Sequence, residues 1–155
     1  MPTVYLGLGT NEGDLEANIS RALEKIEERI GNITSQSSLY LTEPWGFESQ
    51  NMFLNAVCEV ETDLSPRELL SFTQLIERKI GRKTKSHEGV YEDRIIDIDI
   101  LLYGNEIINL PDMVIPHPLM TKRKFVMQPL AEIAPNLHHP TLGDTILRLY
   151  ESLDE

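Results

Sequence analysis

Residues Ile95–Tyr103 read Ile-Ile-Asp-Ile-Asp-Ile-Leu-Leu-Tyr, an apolar run broken only by two aspartates at alternate positions. Period-two alternation belongs to a β-strand, so Asp97 and Asp99 share one face while Ile96, Ile98 and Ile100 share the other. Two carboxylates side by side on an apolar strand repel each other and lose hydration. Something positive must compensate: paired Arg or Lys side chains, or a divalent cation. A hard ion such as Mg²⁺ suits the second case, because it takes one or two carboxylates together with water and substrate phosphates.

The hydrophobic period switches along the rest of the chain. Thr3–Leu8 reads as a strand. Asp14 caps a helix with Leu15, Ile19, Leu23, Ile26 and Ile30 on one stripe, and Gly31-Asn32 is expected to end it with a residue that tolerates positive φ. Ile33–Leu41 reads as one strand, 42–50 as a loop and Phe53–Glu61 as a further strand. Ser65-Pro66-Arg67-Glu68 is a helix start with a capping box, followed by a stripe through Leu69, Leu70, Thr73, Ile76 and Ile80. Residues 82–93 form a polar loop without periodicity. After Tyr103, Gly104-Asn105 is expected to turn the chain into a short return strand, Glu106–Asn109. Two short helices are expected near Lys122–Met127 and Thr145–Leu153.

The order β-α-β-β-α-β predicts an α+β, ferredoxin-like core with an antiparallel sheet and two helices on one face. An extra hairpin strand and the C-terminal helices would cover an edge or the opposite face. At 155 residues the chain is expected to be a single domain, 1–155. That fold hosts enzymes, metal carriers and RNA-binding modules, so function has to be argued from the site.

With 14 basic and 25 acidic residues, the formal net charge is −11. That opposes broad binding to nucleic acid or an anionic membrane. The basic residues are nonetheless clustered. Arg78, Lys79, Arg82, Lys83, Lys85 and Arg94 fall in one stretch, and Lys122, Arg123 and Lys124 in another. Two solvated surfaces, or a local site for a compact polyanion such as a nucleotide phosphate chain, would both produce this pattern. No apolar run is long enough for a membrane span, Met1–Leu6 lacks the pattern of a secretory leader, and Cys58 stands alone. The expectation is a cytoplasmic monomer without nucleic-acid or membrane partners.

Acidic residues preceded by a basic loop suit phosphoryl chemistry, in which metal and guanidinium groups neutralise a phosphate chain. The Gly-rich opening, Gly7-Leu8-Gly9-Thr10-Asn11-Glu12-Gly13-Asp14, has neither Walker nor Rossmann spacing and reads as a tight strand-to-helix turn. His117, between Pro116 and Pro118 and six residues before Arg123, is either structural or held toward phosphate. His138-His139 reads as surface. Phe53 and Asn55 lie two apart on a strand and so share a face, although Phe53 alone reads as core. The residues by themselves admit several metal-dependent phosphoryl-transfer enzymes, or a non-catalytic ferredoxin-like binding domain.

Four separated stretches resemble the 6-hydroxymethyl-7,8-dihydropterin pyrophosphokinase family. They are Gly7-Leu8-Gly9-Thr10-Asn11 with Gly13-Asp14; Thr42-Glu43-Pro44-Trp45-Gly46 leading to Phe53-Leu54-Asn55-Ala56; Arg94 to Gly104; and Pro116-His117-Pro118 through Arg123 and Phe125 to Pro129-Leu130. The resemblance covers nearly the whole chain. It implies transfer of the terminal diphosphate of ATP to a reduced pterin, with two Mg²⁺ ions on Asp97 and Asp99. It also implies that Arg82 and Arg94 belong to a catalytic loop, that Lys85, His117 and Arg123 contact ATP, and that Gln74, Glu77 and Ile100 line the nucleotide site. Thr42, Pro44, Trp45, Phe53, Asn55 and Phe125 would form the pterin pocket. Where the family often has Trp-Gly-Pro-Arg before the aspartate strand, this chain has Tyr91-Glu92-Asp93-Arg94.

Overall fold

The computed structural model describes residues 1–43, 52–81 and 95–153. Strand β1 (Thr3–Thr10) leads into helix α1 (Leu15–Arg29), β2 (Gly31–Gln36), β3 (Tyr40–Thr42) and β4 (Phe53–Thr62). Helix α2 (Pro66–Ile80) and β5 (Asp97–Tyr103) complete the expected core. The short strands β6 (Ile108–Leu110) and β7 (Met113–Ile115), a 3₁₀ turn at Met120–Lys122, and helices α3 (Lys124–Ile133) and α4 (Ile146–Glu151) follow.

The main sheet runs β2-β4-β1-β5, with β3 also on β4, and the pairings of β1 with both neighbours are antiparallel. This is the anticipated ferredoxin-like arrangement. Local chemistry sets the helix starts. Asp14 accepts a hydrogen bond from Ala17 N at 3.1 Å. At α2, Ser65 and Glu68 make the reciprocal capping box, with Pro66 in the first turn.

The strands bury both faces. Val4, Leu6, Leu8, Ala56, Cys58, Val60, Ile98 and Ile100 pack with Ile19 and Ile26 of α1 and Leu69 and Ile76 of α2. On the opposite face Tyr5, Val57 and Leu101 pack with Met127 and Leu130 of α3 and Ile146 of α4. Burial holds the Cys58 thiol up at a pKa of about 12, which leaves it an inert core group.

Four local expectations are corrected. Residues 33–41 form two strands rather than one, because serine side chains take over the pairing between them. Ser37 Oγ accepts from Val57 N at 2.9 Å, and Ser38 N and Oγ both donate to Glu132 of α3. Gly31 does not supply positive φ; it opens β2, where a Cβ would stand 2.1 Å from the Glu61 carbonyl oxygen. The return strand after Gly104 begins at Ile108 and pairs with β7 in a separate two-stranded sheet, not with β5. His139 is buried, its Nδ1 accepting from Thr141 N and Leu142 N at 3.2 Å, whereas His138 is exposed.

The contact at Gly31 is with backbone and cannot be relieved by a rotamer change. Gly31→Ala should therefore destabilise the protein by about 3 kcal/mol or more, measured by urea unfolding.

Candidate active site

The face of the sheet turned toward α3 carries a cavity of about 430 Å³. Strand register explains its shape. Gly9 of β1 stands opposite Asn55 of β4 on one side and Asp97 of β5 on the other, and Gly7 likewise stands between Val57 and Asp99. Both glycines lie on the cavity face and have no side chain to fill it. The central strand therefore forms a trough, with carboxylates along one bank and Asn55 and Phe53 along the other. The Gly-rich segment is thus not mainly a turn. β1 runs on through Thr10, and the turn falls at Gly13, whose φ is 82°.

The end of the trough is tied by polar side chains that sequence reasoning missed. Thr10 Oγ1 donates to the carbonyl of Ile95, just ahead of β5. Asn18 Nδ2 donates to Thr10 Oγ1 at 3.1 Å and to the Glu12 carbonyl at 2.8 Å. Thr10 and Asn18 are buried, so these bonds hold the start of the aspartate strand against β1. A polar residue on the inner stripe of α1 was the available signal for Asn18.

On the far bank, Asn55 Nδ2 donates to Thr42 Oγ1 at 2.7 Å. This bond orients the amide and leaves Oδ1 beside Gly9. β3 places Thr42 opposite Phe53. Phe53 and Phe125 are half-buried and both line the cavity, so Phe53 is a wall of the site and not a core residue. Glu43, Leu119 and Val126 also line it, and nothing in their spacing marked them beforehand.

The roof carries positive charge. Of the Lys122-Arg123-Lys124 cluster only Arg123 is buried, and it lines the cavity. Its guanidinium lies 5.4 Å from the centre of the Phe125 ring, a cation–π arrangement. His117 follows a cis Ile115–Pro116 peptide, and its backbone N–H donates to the Leu101 carbonyl at 3.0 Å. Its Nδ1 accepts from Leu119 N at 3.2 Å, so the neutral ring carries its proton on Nε2. Burial, and then the nearby Arg123 charge, hold the His117 pKa below its ordinary value of 6.5, with Asp97 pulling weakly the other way.

The cavity therefore gathers Thr42, Phe53, Asn55, Asp97, Asp99, His117, Arg123 and Phe125, which came from four separate stretches of chain. Three other candidates lie elsewhere. Gln74 is exposed on α2. Glu77 is buried and accepts from Ile98 N at 2.8 Å, and the Ile100 side chain is in the core beneath β5. Pro44, Trp45, Arg82, Lys85 and Arg94 lie outside the described residues.

Among the described residues no group of three or more His, Cys, Asp or Glu is placed to hold a metal. Two hard carboxylates on one strand face, open to a cavity, nevertheless fit Mg²⁺, which completes its shell with water and phosphate oxygens.

A ferredoxin-like sheet carrying paired carboxylates, a buried arginine and an aromatic-walled trough fits an enzyme of the nucleotide-dependent phosphoryl-transfer class. The family model for 7,8-dihydro-6-hydroxymethylpterin-pyrophosphokinase matches residues 5–135, and the chain belongs to that family. It is 49% identical over 139 residues to a 2-amino-4-hydroxy-6-hydroxymethyldihydropteridine pyrophosphokinase of Porphyromonas gingivalis, covering 89% of this chain and 95% of the relative. The enzyme of the same name from Aquifex aeolicus is 46% identical over 140 residues, covering 90% of this chain and 85% of that one. Among solved structures, wild-type Plasmodium falciparum HPPK-DHPS with STZ-DHP superposes with a TM-score of 0.79 at 19% identity. That likeness concerns the fold; it covers 97% of this chain but only 43% of the longer Plasmodium chain.

The depressed pKa of His117 has a definite sign in stability. Between its folded value and 6.5 the unfolded chain binds more protons, so stability rises with pH across that window, is fully present above it, and is lost as pH falls through it. His139, lowered by burial, acts in the same direction. His117→Gln should therefore lose less stability than the wild type between pH 7 and pH 5 in urea titrations, keeping the part due to His139.

Proposed function

We propose that the two banks of the trough hold the two substrates of one transfer reaction. The aromatic bank would take the pterin between Phe53 and Phe125, with Asn55 and Thr42 at its polar edge. The carboxylate bank would take the phosphate chain of ATP. The observation that carries this reading is the cross-strand row Asn55–Gly9–Asp97, which holds the amide and the carboxylate about two strand spacings apart.

The chain catalyses ATP-dependent transfer of a pyrophosphoryl group to the hydroxymethyl group of 6-hydroxymethyl-7,8-dihydropterin, a step of folate biosynthesis. The reaction is Mg²⁺-dependent, and its substrates are ATP and the dihydropterin. The finer assignments are our own. Asp97 and Asp99 would hold two Mg²⁺ ions. When bound, these neutralise the phosphate oxygens and lower the pKa of the attacking alcohol. Arg123, and His117 through Nε2–H, would receive phosphate oxygens from the roof.

The pterin hydroxyl oxygen forms a bond to the β-phosphorus as the bond from that phosphorus to the α,β-bridging oxygen breaks, and the hydroxyl proton passes to solvent. AMP leaves with the electron pair. Arg82 and Arg94 would offset the charge that builds on it.

Gln74, Glu77 and Ile100 fit this scheme at the open edge of the sheet. β5 ends the strand path, and its Ile98 N–H points away from β1 to Glu77. Two residues on, the backbone of Ile100 faces the same edge, so Ile100 would meet the nucleotide base through its peptide groups while its side chain stays in the core. Lys85 would lie along the phosphates. Pro44 and Trp45 would extend the pterin pocket. The working unit would be a single-domain monomer, 1–155. Among the described residues no helix is long and apolar enough to cross a membrane.

With Mg-ATP and 6-hydroxymethyl-7,8-dihydropterin, AMP should appear in step with the pterin diphosphate and stop on addition of EDTA; ADP would overturn the assignment. Asp97→Ala and Asp99→Ala should abolish turnover. Arg82→Ala should lower the single-turnover rate by about a hundredfold, with the ATP constant little changed. A wild-type rate in that variant would remove Arg82 from the mechanism.

A further inference from the structure

We infer that Gly9 is a specificity-determining residue, and that the volume of its missing side chain is where the pterin ring lies against β1. The inference rests on the two-substrate reading of the trough. Three observations on Gly9 carry it.

The first concerns the backbone. The glycines with positive φ among the described residues are Gly13, Gly81, Gly104 and Gly143, so Gly9 is not held as glycine by its conformation. It sits inside a regular strand paired on both sides, a position any L-residue can adopt. A glycine within a strand is also the weaker choice for stability, because it orders more backbone freedom and packs no side chain. The fold alone would favour a side chain here.

The second concerns space. A Cβ at Gly9 would stand 3.1 Å from Asn55 Oδ1 and 3.9 Å from Phe53 Cδ1, with no backbone atom of the described residues within 4 Å beyond its own neighbours. Among the described residues it would meet the two side chains assigned to the pterin edge and wall. Gly7, one pleat along, differs: its Cβ would make ordinary contact with the Leu101 side chain at 3.5 Å. The two glycines of the trough are therefore not equivalent.

The third concerns direction. Gly9 lies in the row between Asn55 and Asp97. A flat ring hydrogen-bonded at Asn55 must cross Gly9 to carry its hydroxymethyl arm to the carboxylate bank. Only a residue without Cβ lets a planar ligand approach the strand this closely. A methyl group there would lift or tilt the ring and disturb the orientation of the Asn55 amide.

Gly9→Ala separates this role from a structural one. The dissociation constant of 6-hydroxymethyl-7,8-dihydropterin, measured by calorimetry with a non-hydrolysable ATP analogue present, should rise about tenfold or more. The Mg-ATP constant should stay within about twofold, and Tm should be unchanged or higher. An unchanged pterin constant would overturn the inference. So would equal losses of pterin and ATP binding, or a variant that is unfolded or melts well below the wild type, since glycine would then serve the fold. Binding is measured apart from turnover. A wild type that binds the pterin without forming AMP would sink the assigned reaction, while the two pterin constants would still decide the role of Gly9.

Discussion

The double pairing of β1 governs the rest of this protein. Because it is hydrogen-bonded to β4 on one side and β5 on the other, a single register places Asn55, Gly9 and Asp97 in one row, and Val57, Gly7 and Asp99 in the next. A slip of one residue on β5 would turn both aspartates into the core and bring Ile98 and Ile100 to the cavity. The core opposes that slip, since Ile98 and Ile100 pack with α1 and α2. The burial energy of one face thus sets the chemistry of the other.

The two faces are covered differently, and the difference makes the site. α1 and α2 cover their face with continuous apolar stripes. α3 and α4 bury Tyr5, Val57 and Leu101 but leave the Gly7–Gly9 end of the strands to the cavity. α3 is anchored to the sheet edge by polar bonds: Glu132 accepts from Ser38 and from Tyr40 Oη, the latter at 2.7 Å. The bond to Glu132, ahead of burial, raises the Tyr40 pKa to about 12, so the tyrosine stays a donor. Helix and β3 are held together, and with them Phe125 and Thr42, which both line the trough. Electrostatics follow the same division. The chain is acidic overall, and among the described residues the cavity sets one buried cation, Arg123, beside the His117 ring and across from the carboxylates of Asp97 and Asp99, which leaves room for a cation to join a polyanion there.

Much of this was legible from residue order. The capping residues Asp14 and Ser65 and the alternation of Asp97 and Asp99 depend on local hydrogen bonds and on strand period, and both helix starts and the strand face came out as read. Where the reading erred, a distant partner made the decision. Ser37 and Ser38 divide a strand because Val57 and Glu132 are there to bond them. Gly31 is required by Glu61, thirty residues away. β6 leaves β5 for β7, a strand too short to stand out in the chain. The buried His139 was hidden for the same reason, since adjacency in sequence says nothing of packing.

The sequence by itself determined the chemical parts: two carboxylates on one strand face, aromatic and amide groups two apart on another, and two helices with defined starts. These are set by periods of two and 3.6 and by capping bonds spanning three residues, all of which are local. Only the tertiary structure decided that the Gly7–Gly9 pair is a floor and not a turn, that Arg123 alone of three adjacent basic residues enters the site, and that the Glu77 carboxylate serves the backbone of β5. Each depends on which strands lie side by side and which helix covers them. That is fixed by burial summed over the whole chain, which no short stretch of residues contains.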